Sequence, residues 1–540
     1  MRRYYCFVCY ILVLLVISGC MSGNMPPTVD DLSTVPSMPP LAVLGVENQP
    51  APVFGPYEEY SSSALEEIGR RGLFEAHGPE LNQFALLKNG DESFTVRAQL
   101  LEQAKKSIRI QALIFAGDES GLYLAEILKR KKAEGLDVRI IVDATANLGL
   151  QTQWMYFDLK QHGIEVQGYE SLYLQWLNEV PIPFLSPAKD PEAPNSRYHE
   201  KMWIVDGDTE HGIAVVGGLN IANEYFRVDP SEPSDYWRDQ DIVVKGRIVA
   251  DMVTVFERNY QHFVDIKKSR GILDTDHYWQ ATKDFLDTVG KLDIPYVNDS
   301  DLEERVLQMA QAKPDLKFMN ARGRFFQNRP RLGESFIQQA YMKLFENAQR
   351  EIIICNAYFI PSAEFIDAVR GAVSRGVHVI ILSNSPETND LPEITMVGRS
   401  YYKDILAINQ EEAAQTSGGN VQIWEWYGWR YDEERQTEGT IHAKYAVFDR
   451  HYSLVGSYNL DPRSEHLNSE TAVVIESKEL STDLAKIFYE NDLAFSRKVS
   501  AQAAEAVSYT HLRAHETLIS ISYAVFFLKK GGGGGGGGGG

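Results

Sequence analysis

The sequence predicts an α/β protein built as two duplicated halves, related by a pseudo-twofold axis, with a site at their interface. Three observations carry this. The sparse pattern His-x-Lys-x-x-x-x-Asp is written twice, in YHEKMWIVDG (198–207) and IHAKYAVFDR (441–450). The same downstream text follows each copy: GGLN (217–220) and WRDQDIVVKG (237–246) after the first, GSYN (456–459) and NSETAVVIES (468–477) after the second. The same succession precedes each copy: a helix ending, a polar turn and an apolar β-branched run, as in LLEQAKKSIRIQALIF (100–115) and YMKLFENAQREIIICNAYF (341–359). Apolar residues at three- and four-residue spacing then mark a helix in GLYLAEILKRKKAEG and in AEFIDAVRGAVSRG, and LDVRIIVDA and VHVIILSNS read as buried strands. Strand–helix–strand order implies parallel units, so each half is expected to be an α/β layer.

At 540 residues the chain is too long for one core. Its organisation reads as a leader (1–19), a Pro/Ser-rich tether (20–60), an N-terminal half (61–264), a polar linker region wrapping the halves together (265–330), a C-terminal half (331–506) and a tail outside the native fold (507–540). The tail, ending in ten glycines, resembles translated adapter read-through and is set aside. A net charge of −21 repels phosphate backbones, so nucleic acid is not an expected partner. Three of the four cysteines lie in the first twenty residues. There a basic start and the run FVCYILVLLVIS form a signal-type segment. The sequence Ile17-Ser18-Gly19-Cys20 resembles the lipobox of bacterial lipoproteins, which implies a lipidated Cys20. Cys355 is then alone, a buried strand residue with no disulfide partner.

On a strand, side chains alternate faces. His199 and Lys201 therefore share a face with Arg197, as His442 and Lys444 share one. Asp206 is an odd number of positions away and reads, with Asp449, as a structural turn carboxylate binding its own hairpin. A catalytic imidazole needs a partner on its other nitrogen. Asp239 and Glu470, one per half, are the candidates. Gly217, Gly218, Gly456 and Ser457 remove bulk where backbone must approach a ligand, and Asn220 and Asn459 offer amide donors. A lone histidine is usually a satisfied core residue, but two with duplicated lysines point to chemistry. Facing each other, two histidines, two lysines and two asparagines suit a phosphodiester. One imidazole attacks phosphorus and the other protonates the leaving alcohol. No cofactor is expected, and no metal, because no acidic or Cys/His ligand cluster is spaced for one. Glu224 and Arg463 each follow an Asn by four residues and read either as substrate-side groups or as ordinary ion pairs. Aromatic-rich text precedes both motifs (173–185 and 424–431), as an apolar mouth or as core, and Tyr358 is a pocket-lining candidate.

These residues, with YFIP (358–361), SNSPETND (383–390) and GSYNLDPRSEHLNSE (456–470), resemble the phospholipase D superfamily, and within it the bacterial cardiolipin synthase branch, over about residues 80–495. The resemblance implies two phospholipase D-like α-β-α sandwich halves and a phosphatidyltransferase working through a phospho-histidine. It implies His199 as nucleophile and His442 as acid; the residues alone do not rank them. The implied substrates are phospholipids, phosphatidylglycerol or phosphatidylethanolamine. The expected form is a monomer, lipid-anchored at the periplasmic face of the outer membrane. Rival expectations are a phospholipase D hydrolase releasing phosphatidic acid, a nuclease of the same superfamily, and an inactive scaffold lipoprotein.

Overall fold

Two eight-stranded sheets run through the protein on one plan. The computed structural model describes residues 74–143, 146–147, 149–168, 197–229, 236–269, 300–428 and 439–505. All belong to the compact unit that starts at Ala51. The leader, Cys20, the tether, the aromatic stretch 173–185 and the tail lie outside the described residues.

The first half contains β1 (Asn82–Leu87), α1 (Gly90–Gln103), β2 (Ser107–Ala112), α2 (Glu119–Ala133), β3 (Asp137–Val142), α3 (Leu150–Gln161) and β4 (Val166–Gln167). The motif strand β5 (Met202–Val205) follows, then β6 (Ile213–Gly217), β7 (Trp237–Arg238), β8 (Asp241–Gly246) and α4 (Ile248–Ser269). The crossing segment holds α5 (Ser300–Gln311) and β9 (Met319–Asn320). The second half opens with β10 (Arg322–Asn328), α6 (Phe336–Asn347), β11 (Glu351–Asn356), α7 (Ala363–Ser374), β12 (His378–Asn384), α8 (Pro392–Arg399) and β13 (Asn420–Trp426). It continues through β14 (Thr440–Ile441), β15 (Lys444–Phe448), β16 (Tyr452–Gly456), β17 (Glu470–Glu476), α9 (Lys478–Ile487) and β18 (Ser496–Lys498).

The sheet orders are β4-β3-β2-β5-β6-β8-β1-β9 and, read from the corresponding edge, β18-β13-β12-β11-β15-β16-β17-β10. Strand for strand, β4-β3-β2-β5-β6-β8-β1 repeats as β13-β12-β11-β15-β16-β17-β10. The expected duplication is thus the architecture itself. Within these two sheets, parallel pairing is confined to β2/β3/β4 and β11/β12/β13; their remaining ladders are antiparallel. The sheets are mixed because the motif strand returns through a tight turn, and a tight turn can only join antiparallel neighbours.

Local chemistry sets these elements. Asn89, Asp118 and Ser362 accept from backbone N–H groups at the starts of α1, α2 and α7, satisfying donors that a helix N-terminus leaves open. Phe365, Val369, Ala372 and Val373 form the buried stripe of α7, at the spacing that keeps one helix face on the sheet. Burying each large member contributes roughly 1.5–3 kcal/mol. Each half has its own core, one built around Phe94, Leu101, Ile110 and Ile140, the other around Leu344, Ile354, Val369 and Ile381.

The region 265–330 departs from the expected linker. α4 runs on past 264 to Ser269. Val306, Met309 and Ala310 of α5 join the core of the first half. β9 extends the first sheet beside β1, and β10 pairs with β17 along its whole length. The boundary at 331 would cut β10 from its sheet. The polar composition misled because α5 buries only one face and β10 buries Arg324, Gln327 and Asn328 along with Phe325 and Phe326.

Candidate active site

The two motifs meet through a pair of short strand contacts that cross between the halves. Tyr198 bridges Ser469 in parallel, with His199 N–H donating to Ser469 O (3.0 Å) and Ser469 N–H to Arg197 O (3.0 Å). In the mirror arrangement β14 pairs in parallel with β7, and His442 N–H donates to Arg238 O (2.7 Å). Each histidine is therefore laid against the residue that immediately precedes the other half's carboxylate. His199 Nδ1 lies 2.8 Å from Glu470 Oε2, and His442 Nδ1 lies 2.8 Å from Asp239 Oδ2. The carboxylates singled out from the sequence are the ones found, and they serve in exchange: each orients the histidine of the opposite half.

The two dyads are supported differently. Glu470 also accepts from Ser457 Oγ (2.5 Å) and Ser464 Oγ (2.6 Å). Burial opposes its charge, but His199, Lys201 and Ser457 outweigh burial, and its carboxyl lies below the ordinary range. An ionised carboxylate only accepts, so His199 must carry its proton on Nδ1, leaving the Nε2 lone pair available. Burial pushes His199 down to about 4, Glu470 opposing and Lys201 and Lys444 reinforcing, which keeps the ring neutral. Asp239 has Gln240 N–H at 2.8 Å, and Gly218 stands where Ser457 stands in the other half. A Cβ on Gly218 would sit 2.4 Å from Asp239 Oδ2, so no serine fits there without a shift. Burial lifts Asp239 to about 7, Asp241 adding to the rise and Lys444 opposing it.

Lys201 Nζ donates to His199 O (2.8 Å), and Lys444 Nζ to His442 O. Burial lowers these ammonium groups to about 7 and about 8, with Glu470 and Asp239 respectively as the leading opposing charges. Neither lysine lines the cavity; each lies behind its own histidine.

A cavity of about 90 Å³ opens where the two halves face each other, and both histidines line it. So do Asn220, Asn459, Arg197, Tyr358 and Arg463. Asn220 Oδ1 accepts from Ile114 N–H (3.2 Å), which leaves its amide NH₂ end for the cavity. Tyr358 donates to Asp390 Oδ1 (2.6 Å). Glu224 is not among the lining residues, although Arg463, its counterpart by position, is.

Two expectations need correcting. Asp206 and Asp449 are turn residues (φ 52° in both), but their carboxylates do not bind their own hairpins. Asp206 accepts from the backbone N–H groups of Lys105, Lys106 and Ser107, and Asp449 from those of Gln349, Arg350 and Glu351. Each caps the turn into the neighbouring parallel-ladder strand, where donors would otherwise be left open. The small residues at 217, 218, 456 and 457 make room for carboxylates and the next strand rather than for a ligand. Gly217 faces Asp241, Gly218 faces Asp239, and Gly456 faces the backbone of Thr471 and Ala472.

Sequence reasoning also missed contributors. Tyr225 and Trp237 pack on the His442 ring (centroids 5.2 and 5.0 Å), and Asp390, Asp461 and Asn468 line the cavity. Their signal was adjacency: Trp237 lies two residues before Asp239, and Asp461 and Asn468 flank Arg463. Trp424, Trp426 and Tyr427, weighed as part of an apolar mouth, are buried.

Two halves, each giving a carboxylate-held imidazole and an asparagine to one cavity, with a lysine bonded to the backbone behind each ring, define a class: duplicated α/β folds with one site between their halves. The chain matches the family described as "Cardiolipin synthase, PLD-like domain" over residues 98–258 and again over 341–492, and it belongs to that family. It is 26% identical to the cardiolipin synthase of Halalkalibacterium halodurans over 406 residues, 75% of this chain and 65% of that protein's length. With the major cardiolipin synthase of Bacillus subtilis it shares 27% identity over 423 residues, 78% of this chain and 70% of that one. Its fold is similar to a crystal structure of phosphatidylserine synthase from Haemophilus influenzae (TM-score 0.54, 17% identity, covering 86% of this chain and 99% of that one).

Proposed function

We propose that this protein is a phosphatidyltransferase that joins phospholipids through a phospho-histidine, in the manner of a cardiolipin synthase. One observation carries the reading: two imidazoles from separate halves line one cavity, each with Nδ1 occupied by a carboxylate. The unequal dyads support a division of labour. The neutral His199, with Nε2 free, attacks the phosphorus of a phosphatidyl donor. The bond from phosphorus to the head-group oxygen breaks, and the proton held by the His442–Asp239 dyad goes to that leaving alcohol. The hydroxyl of a second lipid then gives its proton to His442 and attacks phosphorus. The P–N bond breaks, its electron pair returning to His199. Lys201, Lys444, Asn220 and Asn459 offset the charge that develops on the phosphoryl oxygens.

With phosphatidylglycerol as donor and acceptor, the products are cardiolipin and glycerol. Purified protein incubated with phosphatidylglycerol, with lipids separated by chromatography, tests this. Cardiolipin is the expected product; phosphatidic acid without cardiolipin would make the protein a hydrolase.

The same proposal includes a monomer anchored by a diacylated Cys20 at the periplasmic face of the outer membrane. No helix among the described residues is long and apolar enough to cross a membrane. Labelling with radioactive palmitate should mark the wild type and leave Cys20→Ala unlabelled.

A further inference from the structure

The cavity does not share the symmetry of the fold around it. At its His442 end stand Tyr225, Trp237, Tyr358 and Asp390. Two arginines line it as well, one from each half: Arg197, two residues before His199, and Arg463, on the short helix Pro462–His466 that precedes Glu470. Their counterparts across the pseudo-twofold are Thr440 and Glu224, so nothing on the opposite side repeats them. Thr440 donates its hydroxyl to Thr388 O (2.7 Å), and Glu224 is outside the lining.

Arg197 and Arg463 are only 7% and 8% exposed. Burial depresses Arg197 below the ordinary guanidinium range; Asp143 opposes this, and the like charge of Arg463 deepens it. Each has a carboxylate in its field, Asp143 for Arg197 and Asp461 for Arg463, and both line the one cavity, where two guanidinium groups close enough to repel favour a bound anion. Their backbones are fixed independently of any ligand. Arg197 O accepts from Ser469 N–H, and Arg463 O accepts from Leu467 and Asn468 N–H. Arg463 also reaches Asn468 Oδ1 (3.4 Å). Arg197 lies on extended chain, so it stands about 7 Å along from His199.

We infer that Arg197 and Arg463 form a second anion subsite, which holds the phosphate of the incoming lipid alcohol while its free hydroxyl reaches the phosphatidyl group on His199. This rests on the phosphatidyltransferase reading and adds how an acceptor is chosen. Guanidinium forks match phosphate oxygens in pairs, which water and simple alcohols cannot exploit. The subsite thereby favours an alcohol that already bears a phosphate.

Full-length protein in detergent micelles, given phosphatidylglycerol as donor, is offered equal concentrations of deuterated glycerol and deuterated sn-glycerol 3-phosphate. Mass spectrometry reads the ratio of deuterated phosphatidylglycerophosphate to deuterated phosphatidylglycerol. The wild type should favour the phosphorylated acceptor at least tenfold, through a lower KM. Arg463→Gln and Arg197→Gln should each cut the ratio at least tenfold, whatever they do to total turnover, and Arg463→Lys should recover part of it. A wild-type ratio near one, or a ratio the glutamine variants leave unchanged, overturns the subsite. If the wild type makes neither product and releases only phosphatidic acid, the transferase reading fails on its own account. The subsite is then judged by inhibition of that release by glycerol 3-phosphate: at least tenfold weaker inhibition of Arg463→Gln supports it, and equal inhibition overturns it.

Discussion

The His199–Glu470 and His442–Asp239 pairs have the same 2.8 Å contact and come from the same strand-crossing device, yet they are built for opposite protonation states. Glu470 is gripped by two serine hydroxyls and stays ionised; Asp239 faces a glycine and is lifted to about 7. Duplication supplied two imidazoles, and the surroundings of each carboxylate make them unequal: Ser457 and Ser464 donate to Glu470, while Asp239 has Gly218 beside it and the like charge of Asp241 nearby. An acid and a nucleophile can thus arise from one ancestral site by changing what stands behind the carboxylate rather than the histidine.

The comparison breaks most sharply at the rings. His199→Ala and His442→Ala should each lower cardiolipin formation by about 10³-fold or more. They should differ on a donor whose leaving group needs no proton, such as a phosphatidyl p-nitrophenol. Acid-quenched His442→Ala should still trap a phosphoryl-enzyme, and His199→Ala should trap none. The reverse result would exchange the two roles.

The supports come next. Ser457→Ala removes a hydrogen bond to a buried carboxylate, worth about 1–3 kcal/mol, or roughly 5- to 150-fold in kcat if it is fully expressed in the transition state. It also weakens the hold on ionised Glu470, so the dyad takes up a proton more readily. The acid limb of kcat/KM should therefore move to higher pH, a shift that loss of folded protein alone would not produce. Gly218→Ser, which drives an atom into Asp239, should lower kcat at least as far.

A smaller effect is the pH profile of the wild type. Protonation of His199, with its value near 4, removes the nucleophile on the acid side. On the alkaline side the proton leaves the dyad of Asp239, near 7, while Lys201 and Lys444 lose charge near 7 and 8. Single-turnover rates should form a bell that falls below about pH 4 and above about pH 7. A rate still rising through pH 9 would contradict the assignment of His442 as acid.

The smallest difference lies between the motif aspartates. Asp206→Ala and Asp449→Ala each strand backbone donors and should cost about 1–3 kcal/mol of stability by denaturant titration. Asp449, fully buried where Asp206 is half-buried, should cost more.

Much of this was legible in the amino-acid text because duplication writes itself twice. The repetition of strand–helix–strand units in both halves and the candidacy of Asp239 and Glu470 follow from local periodicity and from the spacing of the repeats. What escaped is non-local. Strand alternation shows that Asp206 points away from His199 but not which turn it reaches. A carboxylate assigned to each half gives no sign that it serves the other, because that depends on β7 lying against β14. Ser464 and Tyr225, on short helices, and Asp390 reach the site by side-chain direction from separate segments, and no one-dimensional pattern marks them. The linker was misjudged for a related reason: an amphipathic helix and an edge strand look polar until the surface they cover is known.

The crossing of Tyr198 on Ser469 and of Ile441 on Arg238 has one more implication. Severed between its sheets, neither fragment would own a complete histidine–carboxylate couple, so each alone should be inert. Mixing the fragments, or pairing two copies of one, is the only route to a working couple, which is the arrangement expected if the ancestor was a single repeat that functioned as a twin.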